Sequence, residues 1–176
     1  MNEKEIEKIF HNSGCKNELF DAFGAALKSG IGNIDLYKIL LANPALSSDE
    51  LEMYSEELAK KLKGKEYDFY IWTGQIFEMG MCKEATPEKA FIYYSKANQI
   101  KPTINETLIK ILRLYNYDFE VPINNSIEEI VENRIKFVDK KSVIYSKLAD
   151  HFKAKGDLLK FTEYRALTEL SAQRER

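Results

Sequence analysis

Apolar side chains recur along this chain at three- and four-residue steps, the spacing that lines one face of an α-helix. A short amphipathic helix is predicted over Glu3–Phe10, closed by Asn12-Ser13-Gly14. Leu19, Phe20, Phe23, Ala26 and Leu27 mark a second, which ends at Ser29-Gly30-Ile31-Gly32. Asn33 caps a third, carrying Ile34, Leu36, Tyr37, Ile39, Leu40 and Leu41 as far as Asn43-Pro44, because the residue before proline is driven out of helical geometry. Ser47 with Glu50 forms a capping box, whose hydroxyl and carboxylate satisfy orphan amides, and the fourth helix runs from it to about Lys63. Further helices are predicted near Tyr67–Gly80, Thr86–Gln99 and Thr103–Tyr117. A second capping box, Ser126 with Glu129, opens one to about Lys140, and two more cover Lys141–Lys155 and Asp157–Ala172. Most of the four prolines and eight glycines fall between or at the ends of these stretches rather than at the short intervals a sandwich or barrel requires, so the fold class is all-α with about ten helices.

From residue 65 the pattern acquires a period. Tyr70, Thr73, Gly74 and Phe77 share one helical face; a shift of 38 gives Leu108, Ile111, Leu112 and Tyr115, and a further 37 gives Tyr145, Leu148, Ala149 and Phe152. The opposite face transforms in the same way. Asp68, Trp72, Gln75 and Met79 become Glu106, Lys110, Arg113 and Tyr117, then Val143, Lys147, Asp150 and Ala154. Three helices thus carry one apolar and one wetter side in the same phase, as the inner helices of stacked hairpins must. The organisation read from this is an N-terminal capping or extension region, 1–64, followed by three helical hairpins over 65–176 in one continuous domain.

Within residues 74–97, Gly74, Phe77, Gly80, Lys89-Ala90, Tyr93-Tyr94 and Lys96-Ala97 stand at the spacings of the Sel-one-like branch of the tetratricopeptide repeats, which this hairpin resembles. In physical terms Gly74 admits a close helix approach, Gly80 ends a helix, Ala90 and Ala97 leave room, and Tyr94 fills the gap. Cys82, Lys83 and Thr86 depart from the family's Gly, Val and Asp. The last hairpin is similar through Leu148, Ala149, Phe152, Gly156-Asp157 and Tyr164, the middle one by period alone, and residues 1–64 do not match. The resemblance implies a right-handed superhelical array of antiparallel hairpins that holds other proteins or peptides on its inner-helix surface, without catalysis of its own.

The composition narrows the function classes. Basic and acidic residues nearly balance, 26 against 28, so the chain as a whole lacks the positive field that non-specific nucleic-acid binding needs. No apolar run approaches the ~20 residues of a bilayer crossing, and Met1–Glu7 is mostly charged with no apolar core behind it; a cytoplasmic protein is expected. Cys15 and Cys82 lie far apart and outside any metal-ligand spacing. GxSxG, GxxxxGK[ST] and HExxH are all absent, and neither catalytic residues nor a cofactor or metal is expected.

Candidate binding residues lie on the wetter face: Trp72, Gln75, Met79, Lys110, Arg113, Tyr117, Lys147 and Asp150. Arginine grips carboxylates with two hydrogen bonds and tryptophan supplies anchoring area, so this strip is expected to hold an acidic peptide, unless Glu106 and Asp150 simply neutralise its cations. No Asn lies there, unlike the carboxylate-clamping tetratricopeptide proteins, so their ligand does not carry over. His11 and Cys15, four apart, read as a fortuitous pair and His151 as a solvated helix residue beside Asp150. Cys82, next to Lys83, is the candidate for a lowered-pKa thiol. Phe119 and Val121 in the connector are expected to tuck over an end of the stack. The leading function is a protein–protein interaction adaptor or scaffold. The alternatives are a sensor module for a small ligand and an enzyme of unfamiliar type. A homodimer is expected if the N-terminal helices leave the array's end uncovered.

Overall fold

The computed structural model describes all residues, Met1–Arg176, and is all-helical. The ten α-helices are α1 Glu3–Asn12, α2 Lys16–Lys28, α3 Ile34–Leu41, α4 Ser48–Lys61, α5 Glu66–Glu78, α6 Pro87–Ile100, α7 Asn105–Arg113, α8 Ile123–Arg134, α9 Lys141–Lys155 and α10 Leu158–Arg174, with a 3-10 turn at Ile135–Phe137. The only β pairing is an isolated bridge between Ser47 and Lys83. No helix is long and apolar enough to cross a membrane. The chain divides into two compact units, Met1–Ala97 and Asn98–Arg176. Residue 64, the expected end of the capping region, falls inside the first, between α4 and α5.

In the first unit α1 packs on α2 and α3, and α5 packs on α3 and α4. Its helix starts follow from side chains near the breaks. Asn2 and Glu5 form a capping box for α1, Asn33 accepts the Asp35 N–H ahead of α3, and Ser47 with Glu50 forms the expected box for α4. The core is notably aromatic. Phe23 meets Tyr54 edge-on with ring centroids 4.7 Å apart, Phe23 meets Tyr37 at 6.3 Å, and Tyr37 meets Phe69 at 6.3 Å. Such edge-to-face pairs add about 0.5–1.5 kcal/mol each beyond the area they bury. Gly74 fulfils its expected role: a Cβ there would stand 2.5 Å from the fully buried Tyr94 ring, closer than real Cβ contacts allow. Phe77 stacks on Tyr93 in the same hairpin, at 5.6 Å.

In the second unit α7 packs on α8 and α9, and α9 on α10. Leu108, Ile111, Leu112, Ile127, Val131, Ile144 and Leu148 form its mainly aliphatic core, joined by the buried Phe152 ring, which stacks on Tyr164 at 5.4 Å. Gly156, at φ 79°, ends α9; the Asp157 N–H returns to the Phe152 carbonyl, and the Asp157 carboxylate then accepts the Lys160 N–H, so two residues both stop one helix and start the next. Ser142 at the start of α9 bonds Glu175 beyond the end of α10, which makes the two helices antiparallel.

Two helices depart from the sequence reading. α7 stops at Arg113 rather than Tyr117, because the Asn116 side chain accepts the N–H groups of Asp118 and Phe119, each at 3.0 Å, and offers the backbone a turn instead of a helix. α8 begins at Ile123, three residues before Ser126, so Ser126 and Glu129 do not cap it. Asn124 fixes that start, donating to the carbonyls of Asn116 and Phe119 and accepting the Asn116 N–H. Of the connector's two apolar residues, Phe119 does not tuck in as expected, being 70% exposed, whereas Val121 is half-buried.

Candidate functional site

α1, α3 and α5 border an open cleft of about 470 Å³ in the first unit, within the size range of ligand sites. Phe10, Ile39, Ala42, Pro44 and Trp72 give it apolar walls, while His11 and Lys38 are its ionisable residues. The other polar groups are committed to the fold. Asn43 donates to the carbonyls of Phe10 and Ser13 and accepts the Ala45 N–H, which locks the α3–α4 turn onto the end of α1. The Trp72 indole N–H donates to the Lys38 carbonyl at 3.0 Å, so the ring is held in one orientation and presents carbon. The Lys38 ammonium stands 5.9 Å from the centre of that ring and 3.3 Å from Asp35. What this arrangement can do is shed water from an apolar side chain while holding a cation at the rim.

The sequence-predicted residues are spread over both units. In the first, Trp72 walls the cleft, Gln75 is partly buried one turn further along α5, and Met79 is exposed where that helix ends. In the second, Lys110 is only 8% exposed and stands 3.5 Å from Glu106 within its own helix, because α7 is covered on that side too. Arg113 is exposed. Lys147 and Asp150, one turn apart on α9, come together at 3.9 Å, an exposed pair worth ~0–1 kcal/mol. Asp150 also lines a polar cleft of about 340 Å³ between α9 and α10, with Lys153, Arg165 and Glu169.

Tyr117 leads to a cluster the sequence did not disclose. Its hydroxyl lies 2.8 Å from His151 Nδ1, and His151 Nε2 lies 3.0 Å from the Glu128 carboxylate, which also receives the Lys155 ammonium. An ionised carboxylate only accepts, so Nε2 carries the proton and Nδ1 accepts from Tyr117. His151 is therefore buried and paired with Glu128, rather than solvated beside Asp150. Burial pushes its pKa below the ordinary histidine value despite the opposing pull of Glu128. Burial also pushes Glu128 upward, but the hydrogen bonds from Lys155 and His151 prevail and hold it below the usual carboxylate range. Tyr115 packs edge-on against the imidazole at 4.5 Å. The partners of His151 lie 34 and 23 residues away, beyond any local spacing rule.

Cys82 is not an activated thiol. Burial raises its pKa, and the nearby Lys89 cation does not reverse the shift. Lys89 is itself engaged by Glu52 at 2.6 Å and by Ser48. His11 faces the tryptophan cleft, Cys15 is the exposed N-cap of α2, and no cluster of three or more His, Cys, Asp or Glu side chains is arranged to hold a metal. Set against protein-family models, curated proteins and solved structures, the chain matches none of them.

Proposed function

We propose that this chain is a non-enzymatic adaptor or scaffold that holds a peptide segment of a partner protein, and that its hairpins belong to a superhelical array of the tetratricopeptide type. Support for the array comes from the 38- and 37-residue shifts, from the hairpin positions that resemble the Sel-one-like pattern, and from the contact of Tyr94 with Gly74 at two of them. Support for binding rests on one observation above the others: the only tryptophan is fixed by its indole N–H so that its ring walls an open, largely apolar cleft. Tryptophan is prominent among residues that dominate interfaces, because one rigid ring removes a large area from water at little entropic cost.

Panning a random peptide library, unbiased in charge, against the full chain tests this reading. The expected outcome is a recurrent motif built round a large apolar residue, whose binding falls at least about tenfold in Trp72→Ala, since an interfacial tryptophan typically contributes 2 kcal/mol or more. Absence of any recurrent motif, or a motif indifferent to Trp72, overturns it.

A further inference from the structure

Resting on the adaptor reading, we infer that the Trp72 cleft selects an internal acidic segment, in which an aromatic or large aliphatic side chain enters the cleft and a neighbouring Asp or Glu side chain meets Lys38 at its rim. Three features of the cleft lead there. Apart from His11 and Lys38, its polar side chains are already engaged: the indole N–H is taken by the Lys38 carbonyl, and the Asn43 amide is used by the α1 and α3–α4 backbone. A polar side chain seated against Phe10, Ile39, Ala42, Pro44 and Trp72 would lose water without a side-chain partner there, so the anchor that fits is apolar. The ionisable lining consists of Lys38 and His11, with no carboxylate among the walls, so charge complementarity calls for an anion beside that anchor.

The third feature is how weakly Lys38 is held. Its partner Asp35 is an i,i+3 neighbour on the same helix at 3.3 Å and is 86% exposed, a pair of the kind worth little in water. A guest carboxylate arriving with its anchor already seated is in effect an intramolecular competitor. It displaces a contact that costs little to break, and it meets an ammonium backed by the Trp72 ring, where partial desolvation strengthens the charge-assisted bond. His11 also lines the cleft.

The single tryptophan reports directly on this site. The probes are two blocked peptides, acetyl-Ser-Asp-Leu-Phe-Glu-Ser-amide and its uncharged isostere acetyl-Ser-Asn-Leu-Phe-Gln-Ser-amide, titrated into the full chain at low ionic strength with Trp72 emission recorded. Blocking both ends removes terminal charges, so only side-chain carboxylates differ between the two. The acidic peptide is expected to shift the emission saturably and to bind about tenfold tighter than the isostere, as one charge-assisted contact allows. Lys38→Gln brings the ratio to near one, Lys38→Arg restores it, and Asp35→Asn raises acidic-peptide affinity about two- to threefold by freeing the ammonium. Because Asp35 is so exposed, that last arm does not depend on the variant's stability. Equal affinity for the two peptides, or a ratio unchanged in Lys38→Gln, overturns the charge selection while a Trp72-dependent library motif still upholds the adaptor reading. Silence with both peptides overturns the inference as well, and the library result alone then decides the adaptor reading.

Discussion

The two compact units follow the same helical periodicity and are held together by different means. In the first, the rings of Tyr54, Phe23, Tyr37 and Phe69 meet edge-to-face in a continuous chain through the core. In the second, the core is mainly aliphatic, with Phe152 stacked on Tyr164 at 5.4 Å rather than an edge-to-face chain, and polar groups at fixed points tie the helices together. His151 joins α9 to Glu128 of α8 and to Tyr117 of the connector, Glu132 of α8 takes both Lys160 and Tyr164 of α10, and Ser142 takes Glu175. Aromatic edges and aliphatic contacts take up no proton near neutral pH, whereas an imidazole buried between a phenol and a carboxylate, with its pKa held below the ordinary value, couples folding to protonation. One hydrophobic pattern is therefore compatible with two very different responses to solution conditions, and the difference lies in which polar residues the pattern happens to bury.

The largest effect is expected from breaking the aromatic chain. Phe23→Ala removes the ring that contacts both Tyr37 and Tyr54 and leaves a cavity, so it costs about 3–5 kcal/mol, seen as a lowered urea midpoint of the full chain. A loss below about 1 kcal/mol would mean that the ring contributes no more than an ordinary surface contact. Next comes His151→Phe, which keeps the packing against Tyr115 but removes two hydrogen bonds at about 0.5–1.5 kcal/mol each, while Glu128 keeps Lys155 and the exposed Tyr117 hydroxyl turns to water.

The same residue sets a pH window. Because the folded state lowers the His151 pKa, the unfolded chain takes up the proton first as pH falls below about 6.5, so stability is lost on acidification. Glu128, also lowered in the fold, extends the loss below its ordinary value of 4.5. Hydrogen exchange on the full chain, corrected for intrinsic rates, is expected to show protection of α9 falling between pH 7 and 5 more than that of α3, and His151→Phe to abolish the difference. Equal loss in both units would mean that His151 does not set the pH response of the second. Smaller still, Ser47→Ala removes the box that starts α4 and costs about 1 kcal/mol in the same urea titration. At the bottom of the scale, Phe119→Ser changes a side chain that is mostly in water and shifts stability by no more than about 0.5 kcal/mol.

What could be read from the sequence was whatever is decided within a few residues or at a fixed period. Asn33 and Ser47-Glu50 start their helices where expected, Gly156-Asp157 turns the chain, and Gly74 receives Tyr94. Ser126-Glu129 has the same local signature as Ser47-Glu50 and is overridden, because Asn124 closes a turn with Asn116 and starts the helix earlier. The pairings of His151 and the burial of Lys110 come from neighbouring helices and leave no periodic trace. Seven of the eight residues lining the candidate cleft were hidden for a related reason. Trp72 stands in the repeating stretch, but Phe10, Lys38 and Pro44 come from residues 1–64, where no repeat marks which side chains will face it.

The most direct test of the account is to map a library-selected peptide on the isotope-labelled full chain by NMR. The Trp72 indole N–H and the amides of Lys38, Ile39 and Ala42 are expected to move together and saturate with one affinity, while Ser146, Asp150 and Arg165 beside the polar α9–α10 cleft stay still. Shifts concentrated at Ser146, Asp150 and Arg165, with the Trp72 indole unmoved, would contradict it.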